Sequence, residues 1–168
     1  MIFVTVGTEK FPFDRLLKII DEAIVRKEIN ECVFAQIGSS RYLPQNYPYI
    51  RMLDFNELVK YIKEARIVVC HAGEGTISLC SNSDKIPVIF PRDYHFKEHL
   101  DDHQMQYARK LKELNVLLVS YNKKDLLNAI KNYDELIKNM KLFAEAKNEA
   151  PLVKFLKMIC DERINGDL

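Results

Sequence analysis

A short apolar run that is followed at once by glycines is the feature that most constrains how this chain can fold. Residues 67–70 read Ile-Val-Val-Cys, and the next six residues read His-Ala-Gly-Glu-Gly-Thr. An uninterrupted apolar run of this length is typical of a strand in a parallel sheet that is covered on both faces. The glycines predict a turn at the carboxyl end of that strand, which is where open α/β sheets bind ligands. The segment therefore predicts a ligand-binding crevice just beyond residue 70.

Strand and helix patterns alternate along the rest of the chain. Further strands are predicted at residues 2–6, 31–37, 49–55, 87–90 and 116–119. Apolar residues at helical spacing predict helices at residues 13–24, 56–64, 100–114, 123–130, 135–146 and 151–162, besides one that follows the glycines at 73–75. We expect Asn56 and Thr76 to cap two of these helices. The alternation predicts right-handed βαβ units and hence a single Rossmann-like α/β domain over residues 1–168, with a parallel sheet flanked by helices.

Composition restricts the functions that this chain can have. The net charge of the 168 residues is +1, so no global positive field favours nucleic acid or an anionic membrane. No apolar stretch approaches the roughly 20 residues of a transmembrane helix, and the first residues lack the pattern of a signal peptide. The four cysteines show no C-x-x-C pairing, which fits a reducing compartment. We therefore expect a cytoplasmic protein whose association with a membrane would come through a partner.

Two predicted strand-to-helix turns carry glycine. Gly7 and Thr8 follow the first strand, and residues 73–76 follow the strand at 67–70. Glycine lets backbone N–H groups approach a phosphate, and a helix N-terminus favours negative charge. Two such turns in one sheet suit a diphosphate, although each can also be a tight turn without a ligand. The G-x-G-x-x-G fingerprint and the Walker A sequence are absent, which weighs against dinucleotide and P-loop sites.

Three of the four histidines recur every four residues, at His95, His99 and His103. On one continuous helix they would share a face, with Asp102 as a fourth ligand, so a metal-dependent hydrolase is one hypothesis. The alternative is that these histidines are exposed or bind an organic ligand, because no H-E-x-x-H motif is present. The sequence indicates no nucleophile and requires no metal or other cofactor. Binding and positioning are therefore the chemistry that it favours.

Three segments together resemble the C-terminal, nucleotide-sugar-binding half of the MurG-like glycosyltransferases. They are residues 1–21, 65–77 and 85–111, which contain the strings V-T-V-G-T, H-A-G-x-G-[ST] and P-R…E-H…D-H-Q. The resemblance covers roughly residues 1–120 and leaves the C-terminal helices, predicted over 123–162, outside it. More closely, the chain looks like the short stand-alone form of that half. This form is the soluble subunit of the two-part N-acetylglucosamine transferase of dolichol-oligosaccharide synthesis, and of its counterparts in bacterial capsule and exopolysaccharide synthesis.

The resemblance implies a UDP-sugar, with UDP-N-acetylglucosamine or UDP-galactose as donor, that is held against one half of a GT-B cleft. It further implies inverting transfer to a lipid-linked acceptor, with a membrane-anchored partner subunit supplying the other half of the cleft. By the match, His71 and His103 are expected to act catalytically by stabilising the departing UDP. The expected substrate-binding residues are Gly7, Thr8, His71, Gly73, Glu74, Gly75, Thr76, Arg92, Glu98, His99, His103 and Gln104.

Two positions depart from the family pattern. Family members usually carry a glutamate three residues after the last residue of the H-A-G-x-G-[ST] string, where it is expected to hold the ribose hydroxyls, and this chain has Leu79 there. They also carry a glycine just before the fifth strand, where this chain has Asp84. Loss of a bidentate contact to ribose would cost on the order of 1–3 kcal/mol. The alternative hypothesis is therefore a non-catalytic enhancer subunit of a partner glycosyltransferase, with a degenerate donor site.

Overall fold

A computed structural model describes residues 1–115 and 117–146. The described residues form one parallel sheet whose six strands are β1 (Ile2–Thr5), β2 (Val33–Gln36), β3 (Tyr49–Ile50), β4 (Ile67–Cys70), β5 (Val88–Ile89) and β6 (Leu118–Val119). The helices are α1 (Asp14–Val25), α2 (Phe55–Glu64), α3 (Glu74–Ser81), α4 (His103–Glu113), α5 (Lys123–Lys131) and α6 (Tyr133–Ala146). The predicted α/β class, with a parallel sheet flanked by helices, is confirmed.

The order of the strands places a topological switch point between β1 and β4. Across the sheet the order is β3-β2-β1-β4-β5-β6, so the chain builds outward from β1 in one direction and then returns to build in the other. At the end of β1, Thr5 is paired with Gln36 of β2 on one side and with Cys70 of β4 on the other. Connections that leave in opposite directions open a crevice beyond the carboxyl ends of these two strands.

Alternating side chains of the strands enter two hydrophobic layers, one on each face of the sheet. Ile2 and Val4 of β1 join the layer that α1 and α5 cover, whereas Phe3 joins the layer that α2, α3 and α4 cover. All three side chains are fully buried. Burial of a large aliphatic or aromatic side chain stabilises a fold by about 1.5–3 kcal/mol, so the strands need apolar residues on both faces. This is why the strand segments read as uninterrupted apolar runs.

The start of α2 differs from the prediction. We expected Asn56 to cap this helix, but the cap is Asp54. The Asp54 carboxylate accepts a hydrogen bond from the Glu57 backbone N–H at 2.8 Å, and the Glu57 carboxylate accepts one from the Asp54 N–H at 3.3 Å. This reciprocal capping box satisfies two N–H groups, which a cap by Asn56 alone would not do. The predicted strand at 49–55 is correspondingly short and ends at Ile50.

Two further expectations near the crevice are wrong. Thr76 does not cap α3, because the helix begins at Glu74 with Gly73 as its N-cap and Thr76 is buried in the first turn. The helix predicted from residue 100 begins only at His103. Residues 91–102 form a loop with a short 3₁₀ turn at Tyr94–Phe96, so the spaced histidines do not lie along one helix.

The predicted helix at 151–162 lies outside the described residues. None of the described helices is both long and apolar enough to cross a membrane.

Candidate functional site

His71 follows β4 and packs between the two glycine turns at the switch point. Its side chain is buried, and a Cβ atom added at Gly7 would lie only 2.5 Å from the His71 Cε1 atom. A Cβ atom at Gly73 would approach the His71 Nε2 atom more closely still. Gly7 also has a φ of +75°, in the left-handed region that favours glycine. The imidazole and the two turns therefore form one packed unit, which exists because neither turn carries a side chain at these positions.

The surroundings of His71 keep its ring neutral. Burial lowers the pKa of His71 to about 3, and the positive charge of Arg92 acts in the same direction. The Thr5 carbonyl opposes this shift, although the buried Nδ1 atom makes no hydrogen bond of ordinary geometry. A neutral imidazole offers one donor and one acceptor. His71 can thus contribute a hydrogen bond to a ligand but no positive charge at physiological pH.

The second turn leads directly into the N-terminus of α3. Gly73 is the N-cap, and Glu74, Gly75 and Thr76 occupy the first turn, whose N–H groups have no partner within a helix. Glu74 and Gly75 are exposed, and a Cβ atom at Gly75 would meet nothing within 4 Å. This turn therefore leaves open space beside backbone donors. Such an arrangement can bind an anion.

Polar groups of β1 and β2 fix the first glycine turn, the one that contains Gly7, through hydrogen bonds. The Thr5 hydroxyl donates to the Gln36 side-chain oxygen at 2.7 Å and accepts from the Gly7 N–H at 3.3 Å. Thr8 is exposed at the start of the loop. The backbone of Gly7 is thereby fixed, whereas the Thr8 side chain is accessible to a ligand.

Arg92 is fully buried in the loop that follows β5. Its guanidinium donates from Nη2 to the Val6 carbonyl at 2.6 Å and from Nη1 to the carbonyls of Phe11 and Glu98 at 2.8 and 3.0 Å. Burial lowers the pKa of Arg92 to about 10, against the opposing negative charges of Glu98 and Glu9. The group therefore remains charged at physiological pH, and its hydrogen bonds go to the backbone around the first turn.

Glu98 is engaged inside the protein as well. Its carboxylate accepts from Arg15 in a bidentate manner, with Nε–Oε1 at 3.0 Å and Nη2–Oε2 at 2.7 Å. The Asp93 backbone N–H donates to the same carboxylate at 2.9 Å. Bidentate arginine–carboxylate pairs are strong and directional. Glu98 therefore fixes the loop that joins β5 to α4.

His99 and His103 lie on either side of Asp101. The His99 Nδ1 atom is 2.9 Å from one Asp101 carboxylate oxygen, and the His99 ring is tilted against Phe11 at 5.8 Å between centroids. The His103 backbone N–H donates to Asp101 at 3.1 Å, while the His103 side chain is exposed. The hydrogen bond from His103 to Asp101, together with the ring-nitrogen contact of His99, lowers the pKa of Asp101, so this carboxylate is charged at neutral pH.

The first residues of α4 also place Gln104 at the site. Gln104 is buried, and its side-chain oxygen accepts from the Arg92 backbone N–H at 3.2 Å. His95, in contrast, is exposed and pairs with Asp93 in the 3₁₀ turn. In the described part of the chain, no three His, Cys, Asp or Glu side chains come together in a way that could hold a metal ion.

Leu79 and Asp84 occupy the two positions that depart from the family pattern. Leu79 is half-buried in α3 and packs against the apolar layer on that face of the sheet. Asp84 has a φ of +54°, a left-handed conformation that glycine adopts readily and aspartate tolerates. The backbone at 84 thus keeps the conformation of a glycine, whereas position 79 has lost any carboxylate.

The sequence analysis missed Arg15 and Asp101 as groups that organise the site. Arg15 contacts Glu98 across 83 residues of sequence, and nothing in a local pattern points to such a pair. Asp101 does offer a signal in the sequence, because a carboxylate between His99 and His103 can bond both.

The family model for the glycosyltransferase family 28 C-terminal domain matches residues 1–160 of the chain. The chain belongs to this family. The resemblance to the C-terminal half of MurG-like glycosyltransferases is thereby confirmed. No curated protein sequence is significantly similar to this family 28 domain.

Solved glycosyltransferases share the fold of this domain at 15% sequence identity. MurG of Acinetobacter baumannii superposes with a TM-score of 0.57 over 95% of this chain and 49% of its own. The spinosyn forosaminyltransferase SpnP gives 0.57 over 99% and 43%, and VinC in complex with dTDP gives 0.52 over 95% and 40%. The chain therefore spans less than half the length of these glycosyltransferases.

Proposed function

We propose that this domain is the donor-binding half of an inverting glycosyltransferase that uses a UDP-sugar, either UDP-N-acetylglucosamine or UDP-galactose. The observation that carries the proposal is the meeting of two glycine turns on the neutral ring of His71, at the β1/β4 switch point of a family 28 domain. The transferred sugar would go to a lipid-linked acceptor in the synthesis of a cell-surface polysaccharide such as a capsule or exopolysaccharide.

The diphosphate of the donor would lie between the Gly7 turn and the first turn of α3. Backbone N–H groups there would stabilise the charge that develops on the departing UDP, and no metal or other cofactor takes part in this proposal. Gly75 leaves the space that the phosphates need. Because His71 is neutral, its contribution is a hydrogen bond and the alignment of the two turns.

The sugar would be bound by groups from α4. The Gln104 side-chain oxygen is occupied by the Arg92 N–H, so the amide nitrogen of Gln104 is the end that can donate to a sugar hydroxyl. His103 is exposed at the same helix start, where it can reach the departing phosphate. Catalysis in this proposal consists of positioning and electrostatic stabilisation.

The acceptor-binding half would come from a separate, membrane-anchored partner chain. The chain spans less than half the length of the glycosyltransferases with the same fold. Tyr94, Phe96 and Leu100 are exposed apolar residues of the loop between β5 and α4, beside the crevice. We propose that the partner lies across this face and recruits a cytoplasmic protein to the inner side of the membrane.

A substitution at Gly75 tests the phosphate-binding role of the second turn. Gly75→Ala adds a methyl group in open space, so it should leave stability unchanged or raise it by up to about 1 kcal/mol. We expect the same methyl group to weaken UDP binding several-fold in calorimetric titrations, because it occupies space beside the backbone donors. Ser78→Ala, one turn further along α3, is the matched control and should bind UDP like the wild type. Unchanged UDP affinity in Gly75→Ala would count against the proposal.

Leu79 favours a second candidate function, that of a non-catalytic enhancer of a partner glycosyltransferase. An apolar side chain cannot hold the ribose hydroxyls where the family usually has a glutamate, so the donor site of this chain would be degenerate. Leu79→Glu separates the two functions, with Leu79→Gln as the uncharged control. If Leu79→Glu binds UDP more tightly than the wild type and Leu79→Gln does not, the donor pocket is intact and Leu79 only reduces its affinity. No UDP binding by either variant or by the wild type would favour the enhancer.

A further inference from the structure

Arg92 is the largest fully buried side chain of the described residues, and it is charged. A buried charge is costly unless other groups compensate it. All three hydrogen-bond acceptors of its guanidinium are backbone carbonyls. Within residues 1–115 and 117–146, no carboxylate lies within ion-pair distance of Arg92, and the Glu98 carboxylate is bound by Arg15. The negative charges of Glu98 and Glu9 act on Arg92 only from a longer distance, so its charge is only partly compensated.

The three carbonyls belong to two segments that border the crevice, the loop after β1 and the loop before α4. Val6 immediately precedes Gly7, and Phe11 lies at the far end of the same loop. Glu98 lies in the loop that leads to α4. By bonding all three, one guanidinium joins both ends of the first glycine turn to the loop before α4. The backbone N–H of Arg92 also donates a hydrogen bond to the side-chain oxygen of Gln104.

The charge of Arg92 acts on the first glycine turn in two ways. The Val6 carbonyl accepts from the guanidinium at 2.6 Å, and this charge-assisted bond polarises the peptide group whose N–H, on Gly7, donates to the Thr5 hydroxyl. The same charge contributes to the lowered pKa of His71, which packs against Gly7. The positive potential is thus present at the place where we expect the diphosphate.

We propose that Arg92 is a positioning residue of the donor site, whose partly compensated charge is balanced by the diphosphate of the bound nucleotide. This inference rests on the proposed function. It predicts that Arg92 contributes to binding in proportion to the negative charge of the ligand: most to UDP, less to UMP and nothing to uridine. A residue with a purely structural role would affect all three ligands alike.

The test is titration of UDP, UMP and uridine against the wild type, Arg92→Lys and Arg92→Gln. In Arg92→Gln we expect UDP affinity to fall on the order of tenfold or more, uridine affinity to stay constant and the preference for UDP over uridine to shrink. Arg92→Lys keeps the charge and should retain part of that preference. Equal losses for all three ligands, or no loss for UDP, would overturn the inference. If the wild type binds none of the ligands, either alone or with its partner chain present, the proposed function itself fails.

Arg66→Gln is the matched control. Arg66 is also a hydrogen-bonded arginine, but its charge is paired with Glu31 and Asp134 and it precedes β4, at the end of the sheet away from the crevice. This variant should lower stability without changing the ratio of UDP to uridine affinity. Should Arg92→Gln fail to fold, the wild type still provides a readout. The Arg92 Nε–H group is buried without a partner, so its NMR signal should shift on addition of UDP and stay in place with uridine. A signal that UDP leaves unchanged would contradict the inference.

Discussion

The contacts of His71 determine which neighbouring positions at this site have room for a side chain. Both neighbouring turns approach the imidazole so closely that no side chain fits at Gly7 or Gly73, whereas Gly75 faces open space. The three glycines therefore have two different physical roles. Gly7 and Gly73 make room for a protein side chain, and Gly75 makes room beside the crevice.

Substitution of Gly73 by alanine should destabilise the protein. The added Cβ atom would overlap the buried His71 ring, and such overpacking typically costs about 1–3 kcal/mol. Gly7→Ala should cost more, because the left-handed φ of +75° is strained for alanine as well. Denaturant unfolding of both variants, with Gly75→Ala as control, measures these costs. A Gly73→Ala protein as stable as the wild type would show that His71 does not occupy this position.

The lowered pKa of His71 predicts a pH dependence of stability. The unfolded chain takes up a proton at this residue near the ordinary pKa of 6.5, whereas the folded protein does so only near 3. The unfolded state therefore binds more protons between these values, and stability should fall by up to about 1.4 kcal/mol per pH unit as the pH decreases from 6.5. Above 6.5 the residue should have no effect.

Unfolding free energies of the wild type and His71→Gln, measured from about pH 5 to pH 6.5, check this prediction. The wild type should lose stability toward acid and the variant should lose less. Equal slopes for the two proteins would contradict the account of a buried, neutral His71.

At the scale of elements, Asp21 of α1 anchors the loop at residues 41–48. Its carboxylate is buried and accepts from the Tyr42 hydroxyl at 2.5 Å, the Gln45 N–H at 2.9 Å, and the backbone and side-chain nitrogens of Asn46, both at 2.9 Å. Burial opposes ionisation, but the four hydrogen bonds together lower the pKa of Asp21 below its ordinary value of 3.8. The charged form thus stabilises the fold above this pH and ceases to do so as the pH falls below it.

Asp21→Asn should therefore destabilise the protein by about 2 kcal/mol or more at neutral pH, because the amide can accept fewer hydrogen bonds and none with a charge. The difference from the wild type should shrink below pH 3.8, where the carboxylate becomes protonated. Glu22→Gln, at the exposed neighbouring position, is the control and should change stability little. A pH-independent difference for Asp21→Asn would contradict the assignment.

Most helices and strands could be predicted from the sequence, but the residues at which they begin and end could not. Apolar runs on β1 and β4 identified the central strands because both faces of these strands are buried. The edge strand β3 is exposed, so its pattern does not show that it ends at Ile50. The loop at 91–102 was interpreted partly as helix, since its conformation depends on contacts of Arg92 and Glu98 with residues more than 80 positions away in sequence.

At the scale of the whole molecule, the order of the strands brings segments that are distant in sequence together into one site. Alternating strands and helices predict a parallel sheet, but the position of β1 between β2 and β4 is what brings the Gly7 turn next to His71. The resemblance to a glycosyltransferase family identifies both turns from the sequence. It did not indicate that Arg92 and Glu98 would be buried behind them, because motifs record residue types and spacing and not burial.

Calorimetric titration of the protein with UDP, UDP-N-acetylglucosamine and UDP-galactose tests the donor-binding account most directly, with ADP as the control nucleotide. The account predicts micromolar to millimolar binding of UDP, preference for one of the two sugars and weaker binding of ADP. Absence of UDP binding, both for the protein alone and with its partner chain present, would contradict it.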